Sequence, residues 1–298
     1  MSKNNPRHLD QSIRTKLLNL SKQKKVDFNH LVNRYVSDRF LYRLSQSNYQ
    51  EKFILKGATL FKCWQGELHR PTKDLDFLAY GNNEILDLTE QLRVVCEIEC
   101  EDGIQFYPES IKGAKIKEDQ EYEGVRIYIN YKLVSIQGKI QIDIGFGDII
   151  TPRASKVEIP TFLDLPAPRL RIYPRETVVA EKFQAMVYLG ISNSRMKDFY
   201  DLFFLAKNFE FDGLILKEAI EATFNRRKTF ICEEVPLALT EEFTQDLAKE
   251  KAWQGFLNKN KLELENETLS KIIEELKLFL IPPYFAIARN QVFNKSWQ

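Results

Sequence analysis

The chain has 298 residues, with 43 Lys and Arg against 42 Asp and Glu, so its formal net charge of +1 gives no general attraction for polyanions. At 44% hydrophobic and 29% charged, with 12 Gly and 11 Pro, it is neither disordered, collagen-like nor low-complexity, and it has the length for one elaborated domain or two modest ones. No run approaches the ~20 apolar residues of a membrane helix, and the start MSKNNPRHLDQS lacks the apolar core of a signal peptide; a cytoplasmic protein with no membrane partner is expected.

The balanced total hides an asymmetry. Residues 1–43 hold ten Lys/Arg against three Asp/Glu, and residues 233–275 hold eleven Asp/Glu against five Lys. Between Leu9 and Ser45, Ile13, Leu17, Leu20, Leu31, Tyr35, Phe40 and Leu44 recur at helical steps, which predicts two or three amphipathic helices. Phe53, Leu55 and Ala58 to Phe61 lead through Lys56-Gly57 into a further helical turn that ends at Gly66. After the loop HRPTK, the alternation in Asp74-Leu75-Asp76-Phe77-Leu78-Ala79 predicts a strand with both aspartates on one face.

Residues 84–100 read as a helix with Ile85, Leu88, Leu92, Val95 and Cys96 on its apolar side. Two period-two segments follow, Val125 to Leu133 and Ile140 to Phe146, and a turn at Gln137-Gly138 would join them into a hairpin whose polar face carries Asp143. The stretch 151–175, with Pro152, Pro160, Pro166, Pro168 and Pro174, reads as an extended connector and the best domain boundary. Helices over Glu176 to Leu189 and Arg195 to about Lys207 come next, and the remainder is mostly helical. Cys63, Cys96, Cys100 and Cys232 form no CxxC pair and read as free thiols. With His8, His30 and His69 alone and no GxSxG, triad hydrolysis and His-rich metal sites are poorly supported.

The sharpest feature is Gly57-Ala58-Thr59 seventeen residues before Asp74-Leu75-Asp76, with Asp143 on a later strand. Aspartates at i and i+2 of a strand project from one face about 6–7 Å apart, close enough to share hard cations. A third carboxylate from a neighbouring strand would complete a cage for two divalent ions, which can bind an NTP and assist an in-line displacement. A small-residue turn entering a helix offers backbone N–H groups and the Thr59 hydroxyl to phosphate oxygens. Each element alone is common on surfaces and turns; their order is the plan of the DNA polymerase β-like nucleotidyltransferases.

Several segments look like successive motifs of the AbiEii/AbiGii toxin family: FILKGATLFKCW with HRPTKDLDFLAYG, then KIQIDIGFGD, ETVVAEKFQAMVYLG and SRMKDFYDLFFL. These are nucleotidyltransferase-like toxins of abortive-infection and type IV toxin–antitoxin systems. The resemblance spans about residues 9–207. It implies an α+β fold: a polymerase β-like mixed-sheet core preceded by an N-terminal helical segment, residues 1–170, and followed by a C-terminal helical domain, residues 171–298. It further implies transfer of a nucleotide from an NTP, with tRNA as the acceptor for some relatives, and a cognate antitoxin encoded by a neighbouring gene.

Carried over by motif, the resemblance places Lys56, Gly57, Ala58 and Thr59 at the nucleotide. It places Asp74, Asp76 and Asp143 at Mg²⁺ or Mn²⁺, and Lys182, Asp198 and Asp201 in the helical part of the site. Ala58 departs from the Gly or Ser of many members, and tolerance is expected because its N–H remains. Asp143 would act as base or ligand, with Asp198 a second candidate for the base. Taken without the resemblance, Lys182 is as readily a snorkelling lysine, and Asp198 and Asp201 are as readily N-terminal carboxylates favoured by a helix dipole. Arg70 would clamp a phosphate or pair with an aspartate, and Arg195 and Lys197 are phosphate contacts or surface charges. The expected reaction is attack by an acceptor hydroxyl, on RNA and at a tRNA 3′ end, at the NTP α-phosphate with loss of pyrophosphate, inhibiting growth. The rivals are a non-enzymatic RNA- or partner-binding module and nucleotidylation of a small molecule or protein.

Overall fold

The computed structural model describes residues 6–117, 123–161, 163–264 and 268–297. The first five residues of the expected leaderless start lie outside the described residues. Residues Met1–Gly147 with Ser155–Ile172 form one compact unit, and Asp148–Ala154 with Tyr173–Gln298 form a second.

In the first unit, helices α1 (Pro6–Lys24) and α2 (Phe28–Gln46) precede β1 (Phe53–Lys56), α3 (Phe61–Gln65), β2 (Asp74–Ala79) and α4 (Ile85–Cys96). Then come β3 (Ile104–Phe106), β4 (Lys112–Lys117), β5 (Glu123–Leu133), β6 (Ile136–Phe146), β7 (Ser155–Glu158) and β8 (Arg169–Ile172). These eight strands make one mixed sheet in the order β3, β5, β6, β2, β1, β8, β7, with β4 paired to β5. The pairs β2/β6 and β1/β8 are parallel and the others antiparallel.

The alternation anticipated in the sequence gives the sheet one continuous apolar face. Ile127, Ile142, Leu75 lie in one row and Val125, Ile144, Phe77, Leu55 in the next, all buried. Helix α2 packs on this face, with Phe40 edge-on to Phe106 at 5.8 Å and Tyr131 donating to Asn33 at 3.1 Å. Each fully buried side chain of this size contributes about 1.5–3 kcal/mol before the entropy of ordering is subtracted. Asp27 caps α2 by accepting the His30 N–H at 3.0 Å.

Four expectations are corrected. The stretch 53–56, expected only to lead into a helix, is strand β1; all four residues are buried, so no period-two pattern marked it. The hairpin turns at Val134 and Ser135, because Leu133 pairs with Ile136 and Val134 has φ 57°. Gly138 is instead a packing glycine opposite Tyr131: a Cβ there would meet the phenolic oxygen at 2.5 Å. The Pro-rich stretch is not merely a connector, since it contains the β7/β8 hairpin that extends the sheet beside β1. Helix α4 also stops at Cys96, short of the expected residue 100.

The second unit holds α5 (Arg175–Leu189), α6 (Met196–Asn208), β9 (Phe211–Asp212), α7 (Gly213–Arg226), α8 (Glu241–Gln245), α9 (Leu247–Asn260), α10 (Leu269–Ala288) and β10 (Ser296–Trp297), which pairs with β9. Phe183, Phe224 and Tyr284 pack with centroids 5.4–5.9 Å apart where α5, α7 and α10 meet. Among the described residues no helix is long and apolar enough to cross a membrane.

Candidate active site

Residues directly opposite one another in a ladder share a face of the sheet. Lys56 of β1 stands opposite Asp76 of β2, Asp76 opposite Asp143 of β6, and Asp143 opposite Arg126 of β5. The polar face therefore carries a row across four strands that reads cation, anion, anion, cation. The next row on that face holds Asp74, Gln141 and Tyr128. Carboxylate oxygens of Asp74, Asp76 and Asp143 lie within 4.8 Å of one another. Three hard anionic ligands at such spacing are a donor set that fits Mg²⁺ or Mn²⁺.

The three carboxylates are held differently. Asp74 accepts from the Thr72 hydroxyl at 2.8 Å. Asp76 lies against the backbone of Gly57, where a Cβ would sit 2.0 Å from Asp76 Oδ2. Gly57 also has φ 75° and ψ −163°, a conformation open essentially to glycine alone. This glycine thus serves both to turn the chain after β1 and to leave room for a carboxylate. Asp143 is buried and gripped on both oxygens: Arg126 Nε donates to Oδ1 at 2.8 Å and Arg126 Nη2 to Oδ2 at 2.7 Å. The Gln141 amide donates to both oxygens at 3.2 Å. Hydrogen bonding to Asp143 pushes the Arg126 pKa up.

Ala58 and Thr59 are buried in the single 3-10 turn that follows Gly57, ahead of the five-residue α3. That helix is short, so its dipole adds little and the expected phosphate contacts would rest on individual groups. A cleft of about 20 Å³, water-sized, is lined by Arg34, Asp38, Thr59, Lys62, Thr72 and Asp74 among others. In its wall Lys62 and Asp38 form a buried ion pair. Burial pushes the Asp38 carboxyl up and the Lys62 ammonium pulls it back, leaving it above the ordinary carboxylate value. Arg70 sits half-buried in the loop before β2.

The remaining expected residues meet one another in the second unit. The Lys182 ammonium is 2.5 Å from Asp198 Oδ1 and 2.9 Å from Asp201 Oδ2, and Arg195 Nε is 3.1 Å from Asp198 Oδ2. The two aspartates are buried. Burial alone would raise the Asp198 pKa, but Lys182 and Arg195 outweigh it and hold the carboxyl below its ordinary value. The expected residues thus form two clusters, Lys56 to Asp143 in the first unit and Lys182 to Asp201 in the second.

Arg34, Asp38, Lys62, Thr72, Arg126 and Gln141 were not anticipated. Arg126 had a signal in the sequence, as a cation on the polar face of a predicted strand; only the correct turn position sets it opposite Asp143.

A mixed sheet bearing a glycine turn, paired aspartates on the next strand and a third aspartate on the strand after it defines the nucleotidyltransferase class. The profile of the family described as "Nucleotidyl transferase AbiEii toxin, Type IV TA system" matches residues 39–275, and the chain belongs to this family. Two crystal structures from Helicobacter pylori share the fold, each with TM-score 0.51 and 17% identity over 89% of this chain. One is JHP933, covered over 94% of its length, and the other is described as a candidate nucleotidyltransferase, covered over 97%. Curated proteins give no match.

Proposed function

We propose that this nucleotidyltransferase transfers a nucleotide from an NTP to the 3′ end of an RNA, a tRNA in the first instance, and that the transfer inhibits growth unless a cognate antitoxin restrains it. The observation that carries this reading is the convergence of Asp74, Asp76 and Asp143 within 4.8 Å beside the Gly57 turn. Asp74 and Asp76 would hold Mg²⁺ or Mn²⁺, with Asp143 as third ligand or as base. When bound, such an ion supplies charge neutralisation at the phosphates and lowers the pKa of an attacking hydroxyl.

The chain's own groups do the rest. Gly57 leaves the space that lets Asp76 stand at the turn, and the Ala58 and Thr59 N–H groups with the Thr59 hydroxyl are donors available to phosphate oxygens. Lys56, at the end of the charged row, is a point cation suited to the β- or γ-phosphate. Lys182, with Asp198 and Asp201, forms a separate cluster carried by the second unit. Its ammonium is neutralised twice over, which suits a fixed structural charge better than a mobile phosphate contact.

The test is to incubate the protein with Mg²⁺, each labelled NTP in turn, and tRNA with either a native or a periodate-oxidised 3′ end. Label on native tRNA alone is expected, and Asp76→Ala should abolish both labelling and growth inhibition while leaving the fold intact. Label appearing without RNA would replace the RNA acceptor by a small molecule or protein. Toxicity persisting in Asp76→Ala would replace catalysis by binding.

A further inference from the structure

The Asp143 carboxylate has no spare acceptor capacity. A carboxylate offers two oxygens with about four lone-pair sites. Each Asp143 oxygen already accepts one Arg126 N–H and the Gln141 amide, at 2.7–2.8 Å and 3.2 Å respectively. The guanidinium approaches with its fork matched to the carboxylate, the strongest and most directional ion-pair geometry available to a side chain. Asp143 is itself one of three carboxylates whose oxygens converge within 4.8 Å, the cluster proposed above for the divalent ion. The Arg126 side chain is 36% exposed whereas that of Asp143 is 10% exposed, so the arginine is the partner with room to move.

We propose that Arg126 is a resident counter-cation for Asp143 that competes with the divalent ion, so that ion and nucleotide triphosphate bind synergistically. The inference rests on the metal-site reading above and extends it to a residue outside the carboxylate set. With no ion bound, Arg126 neutralises the carboxylate that would otherwise be repelled by Asp76 beside it in the row. An arriving ion must take Asp143 from the guanidinium, which weakens capture of the ion alone. A triphosphate offers the displaced guanidinium a second bidentate anion, so the loss is recovered when nucleotide and ion come together. Gln141 stays as the neutral donor that keeps Asp143 oriented in both states. Arg126 is thus a positioning residue with respect to the ion, acting through Asp143.

The experiment measures Mn²⁺ affinity by electron paramagnetic resonance, without and with the α,β-methylene analogues of the four NTPs, for wild type, Arg126→Gln, Arg126→Lys and Asp76→Ala. Circular dichroism and thermal midpoints establish that each variant is folded. Arg126→Gln is expected to bind Mn²⁺ alone about tenfold more tightly than wild type, the order for removing one positive charge beside an ion site of intermediate dielectric. The gain in Mn²⁺ affinity on adding the favoured analogue should shrink by a similar factor, with Arg126→Lys intermediate because it keeps the charge and loses the fork. Unchanged or weaker Mn²⁺ binding in Arg126→Gln, with wild-type binding still dependent on Asp76, would overturn the competition while leaving the metal site standing. Mn²⁺ binding indifferent to Asp76→Ala would overturn the metal-site reading itself, and this inference with it.

Discussion

Replacing Gly57 by alanine attacks the first cluster through its backbone, and its cost can be set against an internal control. Gly57 and Gly66 both have positive φ, 75° and 87°, but they differ in what a methyl group would meet. At Gly66, the left-handed C-cap of α3, nothing lies within 4 Å of an added Cβ. Gly66→Ala should therefore cost only the left-handed penalty of ~1–2 kcal/mol, partly offset by the lower entropy of the unfolded chain. At Gly57 the same methyl would overlap Asp76 Oδ2 at 2.0 Å and Asp76 Cγ at 2.7 Å, in a conformation that itself costs about 1–3 kcal/mol without glycine. Overpacking against a carboxylate adds roughly 1–3 kcal/mol more. The expected total is ~2–6 kcal/mol, or a thermal midpoint lower by about 4 °C or more at ~2–4 °C per kcal/mol for a unit of this size. Because relief requires Asp76 to move, nucleotidyl transfer and Mn²⁺ affinity should fall with stability in Gly57→Ala and stay near wild type in Gly66→Ala. Equal costs for the two substitutions, or full transfer activity in Gly57→Ala, would refute the packing of Asp76 on this glycine as the reason for its identity.

Three further outcomes are expected. Lys62→Met strands the buried Asp38 carboxylate and should cost ~3–5 kcal/mol in urea unfolding, whereas Asp38→Leu combined with Lys62→Met should recover most of it; a neutral single variant contradicts the buried pair. Asp198 has a folded pKa below its ordinary value of 3.8, so its stabilisation is complete above about pH 4 and is lost as the pH falls through the lower folded value. Asp198→Asn should flatten that acid limb of stability measured between about pH 5 and pH 2, and an unchanged limb would remove Asp198 as its source. Cys96 is buried and its thiol is pushed up to about 12 by that burial, so a maleimide at pH 8 should leave it unmodified until the chain is unfolded; rapid native labelling at Cys96 would contradict its placement.

The parts of the fold visible in the sequence were those with a clear period. The strand bearing Asp74 and Asp76, and both long strands of the hairpin, alternate because one face is apolar and the other polar. The strand 53–56 did not announce itself because Phe53, Ile54, Leu55 and Lys56 are all buried and present no alternation. The hairpin turn was displaced by three residues because Gln137-Gly138 has turn chemistry, while the actual turn uses Val134 at positive φ, a residue that disfavours it. That displacement also concealed the most informative contact of the site. A turn at Gln137-Gly138 would set Lys132 opposite Asp143, whereas the turn at Val134 and Ser135 sets Arg126 there. The carboxylates themselves were legible, since their spacing on strands needs no tertiary information. Asp38, Lys62 and Arg34 were not, because helix α2 had to be placed against the sheet before its polar residues could meet the turn after β1.

The register explains why three carboxylates can sit together in a folded sheet before any ion arrives. Without counter-charges, Asp76 and Asp143, directly opposite one another on adjacent strands, would repel one another and tend to splay the pair. Lys56 flanks the pair on one side and Arg126 on the other, so each of the two carboxylates faces a cation across the ladder, and Asp143 is held on both oxygens by Arg126. The two cations differ in kind. Arg126 spends both arms of its fork on Asp143, while Lys56, buried at the end of β1 opposite Asp76, is a single charge fixed by its strand. The two cations are set against Asp76 and Asp143, whereas Asp74, in the next row of the same face, is the one carboxylate of the cluster that neither of them stands opposite, so the centre retains a net attraction for a cation.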